Sequence, residues 1–447
     1  MTSSIAKRQS SLSALGWLVT AVGMLAGIAR IVAHTRITDF PVDMTIYREG
    51  VQAFLDGRPV YSEPMLAGDI ALPFIYPPFG ALAMVPLASR GISHDTAGNI
   101  MIVLSDLLLV ACLYFCFRAV LAPRHRRLLL PITSVTWAVA LFFEPIDLNN
   151  SFAQINVVIM ALVVFDLVPR KRWLPQGWLI GLAAAIKITP LAMLLYPLLK
   201  KDVRTILTAA ASAIIATAVA AAVRWDAFVE FFTVKLLAMG TGDDFGVGTD
   251  YQSNSSIKGV VQRLYPSLES ATDHATLTSV VWLALTLITI AAGAWAMRLF
   301  MRRDLNVEAW LIGSLVMLLI SPVSWSHHWV WLALVVPVFA YRAWIYRHST
   351  WVSGALLATL ATWTVLMVTV PPKWWFGDQI DVYGMPLEFK LVVDDYVWFA
   401  LLTAVLFVIV VRRRLPMPTP TPPTPKTRES RAAATDRAAS SSKELQA

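Results

Sequence analysis

Apolar runs of the length needed to cross a bilayer recur through almost the whole chain, and no other feature constrains its fold as strongly. A hydrocarbon core takes roughly 20 apolar residues per helix, and about twelve segments meet or approach that length: 12–33, 73–88, 97–121, 127–145, 150–168, 175–199, 203–224, 275–299, 305–322, 327–345, 350–371 and 393–411. Of the 447 residues 57% are hydrophobic and only 15% charged, below the roughly one quarter of a soluble domain. The expected class is an all-α integral membrane protein in which residues 12–411 form one multi-span domain.

The formal charge of +8 does not point to nucleic acid, because Lys and Arg gather beside the apolar runs, where the cytoplasmic bias of basic residues accounts for them. Lys7 and Arg8 precede the first run, which lacks a small-residue cleavage site. It therefore reads as a retained span with residues 1–11 in the cytoplasm. After the last run come Arg412, Arg413 and Arg414, so the Pro-, Thr-, Ser- and Ala-rich tail 412–447 is expected to be cytoplasmic and disordered. Lys200/Lys201, Arg302/Arg303 and Arg342/Arg347 then fall inside, and 34–72, 225–274, 372–392 and the turn around Ser324 outside. The front half conflicts with this scheme: if every run crosses, Arg124–Arg127 and Arg170–Arg172 fall outside. Either 73–88 and 175–199, both interrupted by proline, are re-entrant and ten crossings remain, or these short loops ignore the charge rule.

Chemistry is expected in the outer segments, which are rich in polar and aromatic side chains. Asp43 or Thr45 can cap a surface helix that Gly57 ends near Asp56, and Ile46, Val51, Phe54 and Leu55 share the face by which it would lie flat on the membrane. Asp43 is thus either a cap or a reactive carboxylate. The prolines around Tyr76 shape a cavity wall, and the amides Asn149, Asn150, Gln154 and Asn156 either tie helices together or hold a sugar hydroxyl. Lys187 lies in an apolar run, where a cation needs an anion, a carbonyl or a water-filled cavity; it pairs with a phosphate, or it snorkels or meets a carboxylate such as Asp166. A helix start carrying Lys258 and Arg263 can hold a phosphate. His327 and His328, beside Trp325 and Trp329, are poorly spaced for a metal and suit a phosphate and a sugar. Cys112 and Cys116 are given no role. No P-loop, nucleophile elbow or dinucleotide fingerprint is present, so an enzyme here would draw on a lipid-linked, outward-facing substrate.

Six segments in order carry a resemblance: Asp43 to Tyr47, Gly57-Arg58-Pro59-Val60-Tyr61, Tyr76-Pro77-Pro78, Gly181 to Pro190, Asn254-Ser255-Ser256-Ile257 and Ser321 to His328. Together they resemble glycosyltransferase family 87, multi-span GT-C enzymes of actinobacteria that use polyprenyl-phosphate sugars. The resemblance implies a GT-C helical bundle and an α-(1→2)-mannosyltransferase acting on phosphatidylinositol mannosides, lipomannan or lipoarabinomannan, with arabinofuranosyl transfer as the close competitor. It places the family's catalytic aspartate on Asp43, with Asp39 four residues earlier as the rival. Beside it, donor phosphate or sugar contacts are expected from His328, His327, Lys258, Arg263 and Lys187, and a cavity wall or acceptor site from Tyr47, Tyr76, Gln154, Asn254 and Trp325. The partners implied are the lipid-linked sugar donor, a glycolipid acceptor and the bilayer. No cofactor or metal is called for, and the oligomeric state is left open.

Overall fold

A computed structural model describes residues 2–37, 41–241, 246–347 and 351–414. Asp39, the Asp243–Asp244 pair and the tail beyond Arg414 lie outside the described residues. Among the described residues every regular element is helical but for one hairpin, Met65–Ala67 against Ile70–Leu72. Seven of its helices are long and apolar enough to cross a membrane: Ser13–Arg36, His94–Val120, Val203–Val223, Ala275–Met301, Ser326–Ile345, Trp351–Trp374 and Asp395–Arg413. They leave large apolar side chains uncovered, among them Leu15, Leu25, Leu207, Ile214, Leu287 and Ile288, as lipid-facing surfaces do. The protein is a multi-pass membrane protein.

The count of about twelve segments is not reproduced. Pro123–Ala140 and Glu144–Ser151 pass as an eighth span only if taken together across a 64° bend. Asn156–Leu167 and Asn306–Ile320 have 12 and 15 residues, or roughly 18 and 22 Å at ~1.5 Å per residue, short of a core about 30 Å thick.

The two proline-broken segments double back. Helix Trp178–Ile186 begins beside the far end of Asn156–Leu167, where the amides of Gly177 and Ile180 donate to Asp166 at 2.9 Å. Gly177 adopts φ +100°, open to glycine. The helix stops at Lys187, whose ammonium reaches Asn156 at the other end of that same neighbour. After this break Thr189–Leu194 and Leu195–Leu199 return, and Tyr196 bonds Asn306 at 3.0 Å. The other segment starts at Tyr76, bonded to Tyr47 at 2.7 Å, and ends near Ser89 and Ile92, whose carbonyls hold Arg48. Both of its ends therefore meet one helix, Val42–Asp56. The basic turn at 122–125 is bonded through Ala122 and His125 to the Tyr341 hydroxyl, at 2.9 and 3.0 Å, so it shares an end of the molecule with Arg342. Leaving these two segments out as crossings reconciles the charges provided that the short helices Asn156–Leu167 and Asn306–Ile320 cross together with their flanking turns.

Helix Val42–Asp56 is entered from Pro41 with no side-chain cap and leaves through Gly57 at φ +78°. Asp43 is thus not a cap. Of the face expected to lie on the membrane, Ile46, Val51 and Phe54 are instead buried within the protein and only Leu55 is exposed; Met44, Thr45, Tyr47, Arg48 and Ala53 are buried as well. Protein encloses most of this helix, so it does not simply lie flat on lipid. Segment 225–274 also departs from a loop: Trp225–Glu230, Phe231–Lys235, Leu236–Thr241, Ile257–Arg263 and Leu268–Asp273 are helical.

Candidate active site

The cavity that collects most of the expected side chains has a volume of about 580 Å³, within the range of small-molecule sites. Asp43, in the first turn of Val42–Asp56, borders it. Gln154 Nε2 donates to the Asp43 carboxylate at 2.5 Å, while Gln154 Oε1 accepts from the Tyr47 hydroxyl at 2.5 Å. Tyr47 and Tyr76 share a 2.7 Å hydrogen bond, their rings edge to face. The two tyrosines thereby orient the amide, and the amide orients the acid. Burial pushes the Asp43 pKa up to about 6, against the opposing pulls of the Gln154 bond and the Lys187 charge. A carboxylate tuned there is ionised at neutral pH yet more basic than a surface aspartate.

The opposite charge comes from the broken helix. Lys187, in extended backbone at φ −146°, puts Nζ 2.7 Å from Asn156 Oδ1, 3.4 Å from His328 Nε2 and over the Tyr76 ring at 5.5 Å. It does not pair with Asp166, which is satisfied by backbone amides. His327 and His328 stand on the tight turn Ser326–Trp331, their ring centroids 4.8 Å apart, and both border the cavity. His327 approaches Gln154 at 3.4 Å and His328 approaches Lys187.

Three expected residues are not in the cavity wall. Arg263 is fully buried, paired with Asp394 and bonded to the Asn254 carbonyl at 2.8 Å. The guanidinium is consumed in closing the loops. Lys258 is buried with its ammonium 5.4 Å from the Trp282 ring centre, and the start of its helix is capped by the Ser256 hydroxyl on the Gly259 amide. Asn254 staples two loops: its side chain donates to the Thr249 carbonyl at 2.7 Å and accepts from the Ser324 amide at 2.9 Å. Of the four amides expected in a cluster, Asn150 ties helices through Asp106 and His34, whereas Gln154 and Asn156 face the site chemistry.

Trp325 lines the cavity as expected, joined by Glu144, Tyr251, Trp374 and Asp378, which sequence reading did not single out. The polar and aromatic character of 372–392 marked the right segment, but nothing in it distinguishes Trp374 or Asp378 from their neighbours. Behind them, Lys373 is wholly buried and donates to Ser255 at 2.7 Å and to Ser326 at 3.3 Å, and it pairs with Asp395 at 3.2 Å. One lysine thus locks together its own segment and those of Ser255 and Ser326.

A helical membrane bundle in which an amide-held aspartate, a lysine and two histidines border an aromatic-rimmed cavity has the makings of a membrane-embedded transferase. Residues 74–322 match the family model described as Glycosyltransferase family 87. The polyprenol-phosphate-mannose-dependent alpha-(1-2)-phosphatidylinositol mannoside mannosyltransferase of Mycolicibacterium smegmatis is 34% identical over 83% of this chain and 86% of its own length. The Mycobacterium tuberculosis protein of the same description is 33% identical over 89% and 91%. An alpha-(1->3)-arabinofuranosyltransferase of Corynebacterium glutamicum is more distant, 26% identical over 56% of each chain. The chain belongs to glycosyltransferase family 87, and it is a membrane glycosyltransferase.

Proposed function

We propose that this enzyme transfers mannose from polyprenyl-phosphate-mannose to a phosphatidylinositol-mannoside-type glycolipid, forming an α-(1→2) linkage with inversion at the anomeric carbon. The observation that carries the chemistry is that Asp43, Lys187 and the two histidines border a single cavity. Asp43 accepts the proton of the acceptor hydroxyl as that oxygen attacks C1 from the face opposite the phosphate. The bond from C1 to the phosphate oxygen breaks, and polyprenyl phosphate departs with the electron pair. Because phosphate is already a good leaving group, no second carboxylic acid is needed to protonate it, unlike the pair in a glycoside hydrolase. Lys187 and His328 hold the charge that grows on the phosphate.

The donor and acceptor are supported by the two mycobacterial relatives, each of which carries both in its description. The site belongs to the extracytoplasmic face in this reading, because the basic turns at 124–127, 170–172, 200–201 and 302–303 gather at the other ends of the helices that build it. The scheme calls for no metal, so activity should survive chelation. Membranes containing the enzyme, supplied in parallel with polyprenyl-phosphate-mannose and the arabinofuranosyl donor, test the proposal directly. Transfer from the mannosyl donor to the glycolipid, abolished by Asp43→Asn, is expected; transfer from the arabinosyl donor alone would overturn it.

A further inference from the structure

One end of the cavity takes no part in the transfer chemistry. Glu144, Leu148 and Phe152 recur at four-residue spacing and all border the cavity, so helix Glu144–Ser151 lies along its wall. The far end of this helix is tied to the base, since the Met44 amide donates to the Phe152 carbonyl at 3.3 Å and Gln154 to Asp43. Eight residues at ~1.5 Å each put Glu144 roughly 12 Å from that end, beyond the reach of one pyranose ring seated at Asp43.

At this distance the cavity changes character. Trp374 Nε1 and the Tyr396 hydroxyl donate to the two oxygens of Glu144, at 2.7 and 2.8 Å, and the Tyr251 hydroxyl donates to Asp378 at 2.6 Å. Each carboxylate oxygen retains capacity to accept from a ligand hydroxyl. The Tyr251 ring lies 6.0 Å from Trp325 and 6.2 Å from Trp374. The mount is rigid, because Trp374 follows the buried Lys373 that binds the segments of Ser255 and Ser326. Two carboxylates repel a phosphate, whereas fixed aromatic faces with acceptors at their edges suit a neutral polyhydroxylated ring.

We infer that Glu144, Trp374, Tyr251 and Asp378 form a second carbohydrate subsite. It holds a ring of the acceptor adjacent to the one being glycosylated, so the enzyme selects acceptors with at least two sugar rings. The inference rests on the transferase reading above.

Its test uses the purified full chain, polyprenyl-phosphate-mannose, and two synthetic acceptors, an alkyl mannoside and an alkyl dimannoside. The expected result is a kcat/KM at least about tenfold higher for the dimannoside, the worth of one good hydrogen bond to a charged group. Trp374→Ala and Glu144→Gln should each bring that ratio toward one through a higher KM for the dimannoside, with thermal melts confirming that the variants are folded. A second arm titrates the dimannoside onto the Asp43→Asn chain by tryptophan fluorescence, with and without Trp374→Ala. Equal kcat/KM for the two acceptors, or a ratio untouched by both substitutions, overturns the subsite while leaving the transferase reading intact. Failure of the unsubstituted enzyme to mannosylate either acceptor overturns both.

Discussion

Asp43 is costly where it stands, and that cost is testable separately from its role. Its pKa is raised to about 6 by burial, so the ionised form is destabilised in the folded state relative to an ordinary aspartate, whose pKa is near 4. The penalty is absent at pH values below the unfolded pKa, grows between about pH 4 and 6, and is fully present above 6. Asp43→Asn keeps the volume and removes the charge. It should lower turnover at least about a hundredfold while raising the melting temperature at pH 7.5 more than at pH 4.5, a gain on the order of 1 kcal/mol given that the carboxylate borders the cavity. The same titration predicts an acid limb in kcat/KM with an apparent pKa near 6, because protonated Asp43 cannot accept the acceptor proton. A limb near pH 4 would show that burial does not tune this acid. Asp39→Asn should retain most activity; a dead Asp39 variant beside an active Asp43 variant would transfer the role.

The histidines differ in what they touch. His328 shares its neighbourhood with Lys187, while His327 approaches Gln154. His328→Ala should cost roughly 10²-fold in turnover, the effect of losing one donor to a developing charge, with acceptor affinity nearly unchanged. His327→Ala should be milder. Both rings border the cavity, so the contrast rests on their partners. Steady-state kinetics of the two alanine variants decide it, and equal small losses would remove His328 from the phosphate site.

Among the elements, the broken helix around Lys187 matters most. Trp178–Ile186 packs closely on Val203–Val223 through small residues: a side chain at Gly181 would meet the Ala209 carbonyl and Ser212, the kind of close backbone approach that drives helix association in lipid. This contact sets the depth at which the helix stops and Lys187 turns toward Asn156. Gly181→Leu should therefore destabilise by about 1–3 kcal/mol through overpacking and lower turnover as well, since it displaces Lys187 although it touches no substrate. A thermal melt combined with turnover checks this; normal activity in a destabilised variant would show that Lys187 is held by other contacts.

For the whole molecule, the doubled-back segments place the basic turns at one end and the cavity at the other. Cysteines introduced as Arg126→Cys and Arg170→Cys, with Cys112 and Cys116 replaced, should react with an impermeant thiol reagent only after the cytoplasmic side is opened. Labelling of both in intact cells would restore simple crossings for segments 73–88 and 175–199.

Much of this was legible in the chain. Runs of about 20 apolar residues set a helical membrane protein because lipid satisfies no backbone hydrogen bonds. The resemblance carried by the ordered motifs marked Asp43, the polar turn beside two tryptophans marked the histidine pair, and an apolar setting marked Lys187. Sequence alone could not say which basic residues face the cavity. Lys258 and Arg263 looked as suitable as Lys187, but Arg263 meets Asp394, 131 residues away, and a partner at that separation is set by packing. Which apolar runs cross stayed open for the same reason: whether a proline-broken run crosses or turns back depends on which helix it meets, and for Lys187 that helix is the one beginning at Asn156.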